Sequence, residues 1–168
     1  MKRLTIIVMS MVLAASGNAQ QLPGLGMDIK EVYAPSAEGG STQEYHLAIT
    51  LRNNSSARLV DVKVRYAVRG SIPGGNGTSS SEKSIEDMDP KSSQTLETKP
   101  VKINKSFTSR RDMVPGVFTS IRGYGAQVLV NGKIASEFLG GTLTKKEMEV
   151  AFERLKFHKA AADRKKKQ

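Results

Sequence analysis

Two stretches of alternating apolar and polar residues decide the fold: VDVKVRYAVR at residues 60–69 and YHLAITL at residues 45–51. Alternation with a period of two, in β-branched and aromatic residues, is typical of half-buried antiparallel strands. The turn-forming segment 53–56, Asn-Asn-Ser-Ser, lies between the stretches, so the sequence predicts that they pair as a hairpin. Val60 alternates in phase with the residues that we expect in the core, which are Tyr45, Leu47, Ile49, Leu51, Val62, Val64, Tyr66, Val128 and Val130.

A second hairpin is predicted near the end of the β-rich region. An alternating run over residues 124–130 leads into Asn131-Gly132, and the chain returns over residues 134–138. Asn-Gly tolerates the positive φ angles of a type I′ turn, whose twist matches that of paired strands.

The remaining β-rich region is less regular. Shorter strands are expected over residues 28–33 and 94–103, and Pro100 places the second of these at a sheet edge or interrupts it. We expect irregular structure over residues 70–90 and 105–115, because the glycine- and serine-rich part of the first segment offers little to bury.

The unit formed by residues 45–66, a strand, an Asn-x-Ser turn and another strand, resembles the B and C strands of bacterial secreted immunoglobulin-like domains. A turn over residues 88–93 extends the resemblance. It implies an antiparallel immunoglobulin- or fibronectin-III-like β-sandwich of about seven strands. Together with one C-terminal α-helix, which its own sequence pattern predicts, this makes an all-β fold followed by a single helix. The buried tryptophan and paired cysteines of antibody-type domains are absent, because the chain has neither residue. Such domains are usually adhesive, accessory or scaffolding modules.

The N-terminus has the three-part layout of a secretory signal peptide. Lys2 and Arg3 are followed by an apolar run over residues 4–15 and then by the small residues Gly17 and Ala19. We therefore expect residues 1–19 to be removed, leaving an exported protein in the periplasm or outside the cell. No later apolar run is long enough for a transmembrane span.

The sequence contains no constellation typical of catalysis, of cofactor binding or of a metal centre. A chain without cysteine is not a thiol enzyme or a Cys-ligated zinc protein. Its two histidines, His46 and His158, have no carboxylate at ligand spacing. The glycine-rich loop at Gly74 lacks the Lys-Ser/Thr and the helix of a phosphate loop. We expect a protein that is not an enzyme and that uses no metal or cofactor.

A C-terminal helix is predicted from Lys145 to about Arg164. Thr144 and Glu147 have the spacing of a capping box, and Leu143 and Met148 hold the hydrophobic-staple positions. One apolar face, expected to pack on the sandwich, consists of Met148, Ala151, Phe152, Leu155 and Ala162.

Two further apolar residues, Val150 and Phe157, lie on nearly the opposite side of this helix. Residues 144–168 hold nine Lys or Arg against four Asp or Glu, a net charge of +5 out of +10 for the whole chain. A basic C-terminus attracts anionic partners, although a basic end also serves simply as a solvated terminus. The candidate partner-binding residues are Val150, Phe157, Lys145, Lys146, Arg154, Lys156 and Lys159.

These observations divide the chain into a signal peptide (1–19), a β-sandwich domain (20–140) and a basic helix with its tail (141–168). They favour a secreted or periplasmic, non-enzymatic binding or accessory module that contacts a protein or a glycan. The alternative is an envelope-associated protein that docks on an anionic surface, of lipid, glycan or acidic protein, through the basic helix. Nucleic acid is not the expected partner.

Overall fold

The computed structural model describes residues 22–36, 42–104, 106 and 117–166, with residues 159, 160 and 162–166 described by backbone alone. The described residues form nine strands and one helix. In chain order these are β1 (Leu25–Pro35), β2 (Thr42–Asn53), β3 (Val62–Ile72), β4 (Gly75–Ser84), β5 (Ser93–Glu97), β6 (Val101–Asn104), β7 (Val117–Phe118), β8 (Ser120–Val130), β9 (Lys133–Gly141) and α1 (Lys145–Lys166). The expected all-β fold with one C-terminal helix is confirmed at this level. The predicted signal peptide, residues 1–19, lies outside the described residues.

The first sheet is built on β2. Strand β1 pairs with one side of β2 over its whole length, and β5 and β6 pair end to end along the other side. The chain between β5 and β6 leaves the ladder at Lys99 and Pro100, which confirms the predicted interruption. Thr98 bridges the break, because its amide donates to the Leu47 carbonyl at 2.9 Å and its Oγ1 accepts from the Leu47 amide at 2.9 Å. Short β7 extends the sheet by parallel pairing with β6.

The second sheet has the order β4-β3-β8-β9, with all neighbours antiparallel. The predicted hairpin is confirmed as β8–β9, and its turn residues Asn131 and Gly132 have φ angles of 51° and 74°. A bulge opposite Val128 and Leu129 breaks the alternation of β9, which leaves Ile134 49% exposed and buries Ala135.

The core lies between the facing sides of the two sheets. The alternating residues of β2 and β3 meet there, as the sequence predicts, and the main buried members are Tyr45, Leu47, Ile49, Leu51, Val62, Val64, Tyr66, Val68, Ala126 and Val128. Val130 is only partly buried against them. Val60, in contrast, precedes β3 and is 41% exposed, because Asp61 adopts a φ of 50° and turns the chain before the strand begins.

The prediction that β2 and β3 form a hairpin is wrong. They belong to different sheets, and the chain crosses from one to the other after Asn53. The Asn53 side chain is fully buried at this corner, and its amide donates to the carbonyls of Ala57, Met88 and Asp89 at 2.8–3.1 Å. A turn sequence predicts a change of direction, but it does not determine which strand is the next partner.

The expectation of irregular structure over residues 70–90 is also wrong in its central part. Residues 75–84 form β4, which pairs with β3 from Ile72 back to Lys63. Arg65 and Glu82 stand opposite each other in this pair and form a 2.6 Å ion pair that is largely shielded from solvent. The side chains from Thr78 to Ser81 are small, which leaves room for α1 to lie across this strand.

Helix α1 packs on the outer face of the second sheet. Leu143, Met148, Ala151 and Phe152 are buried against Ala67 of β3 and Leu139 of β9. This confirms the predicted packing of Met148, Ala151 and Phe152, whereas Leu155 is only half-buried and the side chain of Ala162 lies outside the described residues. Within the part of the chain that the structure describes, no helix is long and apolar enough to cross a membrane.

Candidate functional site

The first turn of α1 is fixed by its capping box. The Glu147 amide donates to Thr144 Oγ1 at 3.3 Å, while Glu147 Oε2 accepts from the Thr144 amide at 3.0 Å. Arg69 Nη1 donates to the same carboxylate oxygen at 3.1 Å and to the Thr142 carbonyl at 2.7 Å. The hydrogen bonds from Thr144, helped by the charge of Arg69, lower the pKa of Glu147 below its ordinary value. The start of the helix is therefore tied both to its own cap and to β3.

A groove of about 510 Å³ lies between α1 and β4. We call it the α1–β4 groove, and its lining residues are Thr78, Ser80, Lys146, Glu147, Val150, Ala151, Arg154, Leu155 and His158. Ser80 Oγ donates to the Ala151 carbonyl at 3.1 Å, which holds the helix close to the strand at the floor of the groove. One wall is thus a sheet edge with small polar side chains. The other is a helix that contributes apolar side chains, the cations Lys146 and Arg154, and Glu147, whose charge is paired with Arg69.

The structure sorts the predicted cations into two groups. Lys145 forms a 3.1 Å ion pair with Glu137, and Lys156 forms a 2.7 Å ion pair with Glu153. Lys146 and Arg154 line the groove, and neither has an ion-pair partner among the described residues. Among the predicted cations whose side chains the structure describes, these two line the groove and form no ion pair. The side chain of Lys159 lies outside the described residues.

The two predicted apolar contact residues stand on the same side of α1 as these cations. Val150 lines the groove and is 43% exposed, while Phe157 projects into solvent with 74% of its surface exposed. Positions 146, 150, 154 and 157 are spaced by three or four residues, so they form one stripe along the helix. An exposed phenylalanine at the end of a basic stripe is the kind of apolar contact that partner surfaces use.

Three lining residues carry no sequence signal for a cap, a packing face or a binding surface: Thr78, Ser80 and His158. His158 is exposed, follows Arg154 by one helical turn and shares the lining. Thr78 and Ser80 fall in the segment expected to be irregular. Their period-two spacing is a weak strand signal that the surrounding glycines and serines obscure.

Other features of the described residues are weaker candidates for a binding site than the α1–β4 groove. A second groove of about 560 Å³ lies beside the β8–β9 turn, lined by Leu22, Pro23, Val130, Asn131, Lys133, Ile134 and Ala135. Lys133 is its one charged residue. The carboxylates of Asp87 and Asp89 both face Arg58, at 3.3 and 3.6 Å. No three potential metal ligands come together in the described ranges.

No protein-family model matches this chain, and no curated protein matches it. The function of this protein is therefore inferred from the geometry of the molecule.

Proposed function

We propose that this protein is an exported, non-enzymatic binding module that holds an anionic partner, an acidic glycan or the acidic surface of a protein, in the α1–β4 groove. The observation that carries the proposal is the pair of cations at Lys146 and Arg154, which line the groove and form no ion pair with any residue that the structure describes. His158 adds a third nitrogen-bearing side chain on the same wall. The arrangement offers donors and positive charge, and it suits sulfate, phosphate or carboxylate groups.

The scaffold supports a binding role. Two sheets face each other across one core, and the chain passes between them at Asn53, as in immunoglobulin-like and fibronectin-III-like sandwiches. We propose that the fold belongs to this architectural group. Export is proposed from the signal-peptide pattern of residues 1–19.

The expected binding is weak per contact and sensitive to salt. Exposed ion pairs contribute about 0–1 kcal/mol each, so a useful affinity requires several contacts along the stripe. Salt screens such contacts with a Debye length of about 8 Å at physiological ionic strength. Binding through the groove should therefore weaken steeply as salt rises.

Docking on an anionic lipid surface is a second candidate, favoured by Phe157. This ring is 74% exposed on the same stripe as Lys146 and Arg154. Basic residues next to an exposed aromatic ring are typical of helices that lie at a membrane interface. Phe157→Ser should then reduce binding to vesicles of phosphatidylglycerol and phosphatidylcholine, and leave binding to a soluble sulfated oligosaccharide unchanged.

The direct test compares two double variants that lose the same charge from the same helix. Lys146→Gln with Arg154→Gln removes the two unpaired cations of the groove, whereas Lys145→Gln with Lys156→Gln removes two cations that already have partners. We expect the groove variant to bind a sulfated oligosaccharide about tenfold more weakly, which corresponds to a loss of about 1.4 kcal/mol of binding free energy. The control variant should keep most of the affinity. Equal losses in both variants would mean that only net charge matters, and would contradict the groove as the site.

A further inference from the structure

One carboxylate in the sandwich is surrounded by aromatic side chains. Glu31 of β1 stands opposite Leu47 of β2, and Tyr33 stands opposite Tyr45. Leu47 and Tyr45 belong to the core, so Glu31 and Tyr33 lie on the inner face of the first sheet. Both are nevertheless exposed, because β1 is an edge strand. We call Glu31, Tyr33, Tyr45, Tyr124 and Phe138 the Tyr–Glu cluster.

Two tyrosine hydroxyls of this cluster donate to the one carboxylate, and a third tyrosine lies near it. Tyr45 and Tyr33 donate to Glu31 Oε2 at 3.2 and 3.3 Å, while Tyr124 of β8 is near enough for the charge of Glu31 to add to burial in raising its pKa. Because the two donated phenol hydrogens are directed at Glu31, the lone pairs of those phenol oxygens remain as acceptors. The cluster therefore presents acceptor atoms, and a ligand must bring the donors.

The rings form two walls. Tyr33 and Tyr45 meet edge to face with centroids 5.0 Å apart, and Tyr124 stacks on Phe138 with centroids 5.9 Å apart. Gly140 makes room for the second pair, since a Cβ there would lie 2.8 Å from the Tyr124 ring. Tyr33 is 54% exposed, so part of its ring surface is open to a ligand.

The negative charge of Glu31 has no cationic partner among the described residues. Its field acts on the neighbouring phenols. Burial, and then the charge of Glu31, raises the pKa of Tyr33 to about 12, and the same two causes raise the pKa of Tyr124. The tyrosines thus stay neutral at physiological pH, and the site keeps one uncompensated negative charge.

We infer that the Tyr–Glu cluster binds a guanidinium group, supplied by a small arginine-like molecule or by an arginine side chain of a peptide. A guanidinium is planar and carries five donors in a fixed fork, which suits a carboxylate with acceptor oxygens beside it. Its flat face also stacks on a tyrosine ring through a cation–π contact, and Tyr33 offers that ring. This site is separate from the α1–β4 groove and has the opposite charge preference.

The test uses the full chain and its own tyrosine fluorescence. The chain has four tyrosines and no tryptophan, and three of the tyrosines belong to the Tyr–Glu cluster, so ligand binding there changes the signal. The probe is acetyl-arginine amide, and acetyl-citrulline amide is the matched neutral control. We expect a saturable response to the arginine probe and a response at least about tenfold weaker to citrulline, since hydrogen bonds to charged groups are the stronger ones. A Gly-Arg-Gly peptide that binds more tightly than free arginine would identify a side chain as the source of the guanidinium.

Two variants locate the binding. Glu31→Gln should weaken binding of the arginine probe about tenfold or more. Glu44→Gln, which removes a carboxylate from the neighbouring strand, should leave the affinity for the probe unchanged. Tyr33→Leu removes the exposed ring but keeps an apolar side chain beside Tyr45, and it should also weaken binding because the cation–π contact is lost. The inference is overturned if the native chain gives no saturable response, or if Glu31→Gln binds as tightly as the native chain while circular dichroism shows it folded.

Discussion

Met148 of α1 packs directly on Gly125 of β8, and a Cβ atom placed at Gly125 would lie 2.7 Å from the Met148 sulfur. Met148 is fully buried. The same Cβ would also stand 3.1 Å from the Leu139 side chain and 3.1 Å from the Phe138 carbonyl. Helix α1 therefore packs against the backbone of an inner strand of the second sheet, where Gly125 has no side chain. This close approach fixes the position of the helix that forms one wall of the α1–β4 groove.

Gly125→Val should weaken the packing of α1 on the second sheet. The added side chain overlaps Met148 and a backbone carbonyl, and overpacking of this kind costs about 1–3 kcal/mol of unfolding free energy. Urea denaturation followed by circular dichroism measures the loss. Gly75→Ala is the control, because a Cβ at Gly75 meets no atom within 4 Å. If the two variants are equally stable, the helix does not pack as described.

Asn53→Ala should destabilise the crossing between the sheets by about 1–3 kcal/mol, because a fully buried side chain loses its hydrogen bonds to three carbonyls. The Met88 carbonyl keeps a second donor, the Leu59 amide at 2.9 Å, which limits the loss. Asn54→Ala, at the exposed neighbouring position, should be close to neutral in the same thermal or urea unfolding measurement. Similar midpoints for both variants would contradict the role given to the Asn53 amide.

Val64→Asp should unfold the domain, since Val64 is fully buried between the sheets and an unpaired charge there costs more than about 4 kcal/mol. Val60→Asp provides the comparison, because Val60 lies before the strand and is exposed. We expect that change to stay within about 0.5 kcal/mol of the native chain in urea denaturation. A large effect at Val60 would place the start of β3 earlier than residue 62.

The sequence was sufficient for features whose signals are local. Asn131-Gly132 specifies a turn with positive φ, and Thr144 with Glu147 specifies the beginning of α1, so both were predicted correctly. The alternation in β2 and β3 identified their inner faces. It did not identify their partners, because alternation reports which face is buried and not which strand lies alongside.

The candidate sites were only partly predictable for a similar reason. Val150 and Phe157 stood out as surplus apolar residues, but the separation of Lys146 and Arg154 from Lys145 and Lys156 depends on where acidic partners fall in three dimensions. Glu137, which pairs with Lys145, lies on β9. No sequence motif indicates the Tyr–Glu cluster, because its members come from four different strands. Glu31 also interrupts an otherwise apolar face of β1.

The tyrosines of the Tyr–Glu cluster predict a loss of stability at alkaline pH. The pKa of Tyr33 is raised from 10.0 to about 12, and those of Tyr45 and Tyr124 are raised as well, first by burial and then by the charge of Glu31. A raised pKa gives stability that is complete below pH 10 and is lost as the pH rises through the folded-state value.

Ultraviolet titration of the phenols should therefore show delayed ionisation that coincides with unfolding by circular dichroism. Glu31→Gln should lower the pKa of Tyr33 part of the way back, because burial remains. If all four tyrosines of the native, folded chain ionise near pH 10, the described cluster does not exist.

Backbone amide chemical shifts, recorded while a short sulfated oligosaccharide is added to the native chain, test the groove most directly. The largest shifts should fall on both walls, at Thr78 and Ser80 of β4 as well as at Lys146, Val150 and Arg154 of α1. They should diminish as salt is raised. Shifts confined to other surfaces of the sandwich, or no shifts at low salt, would contradict the proposal that the α1–β4 groove is the binding site.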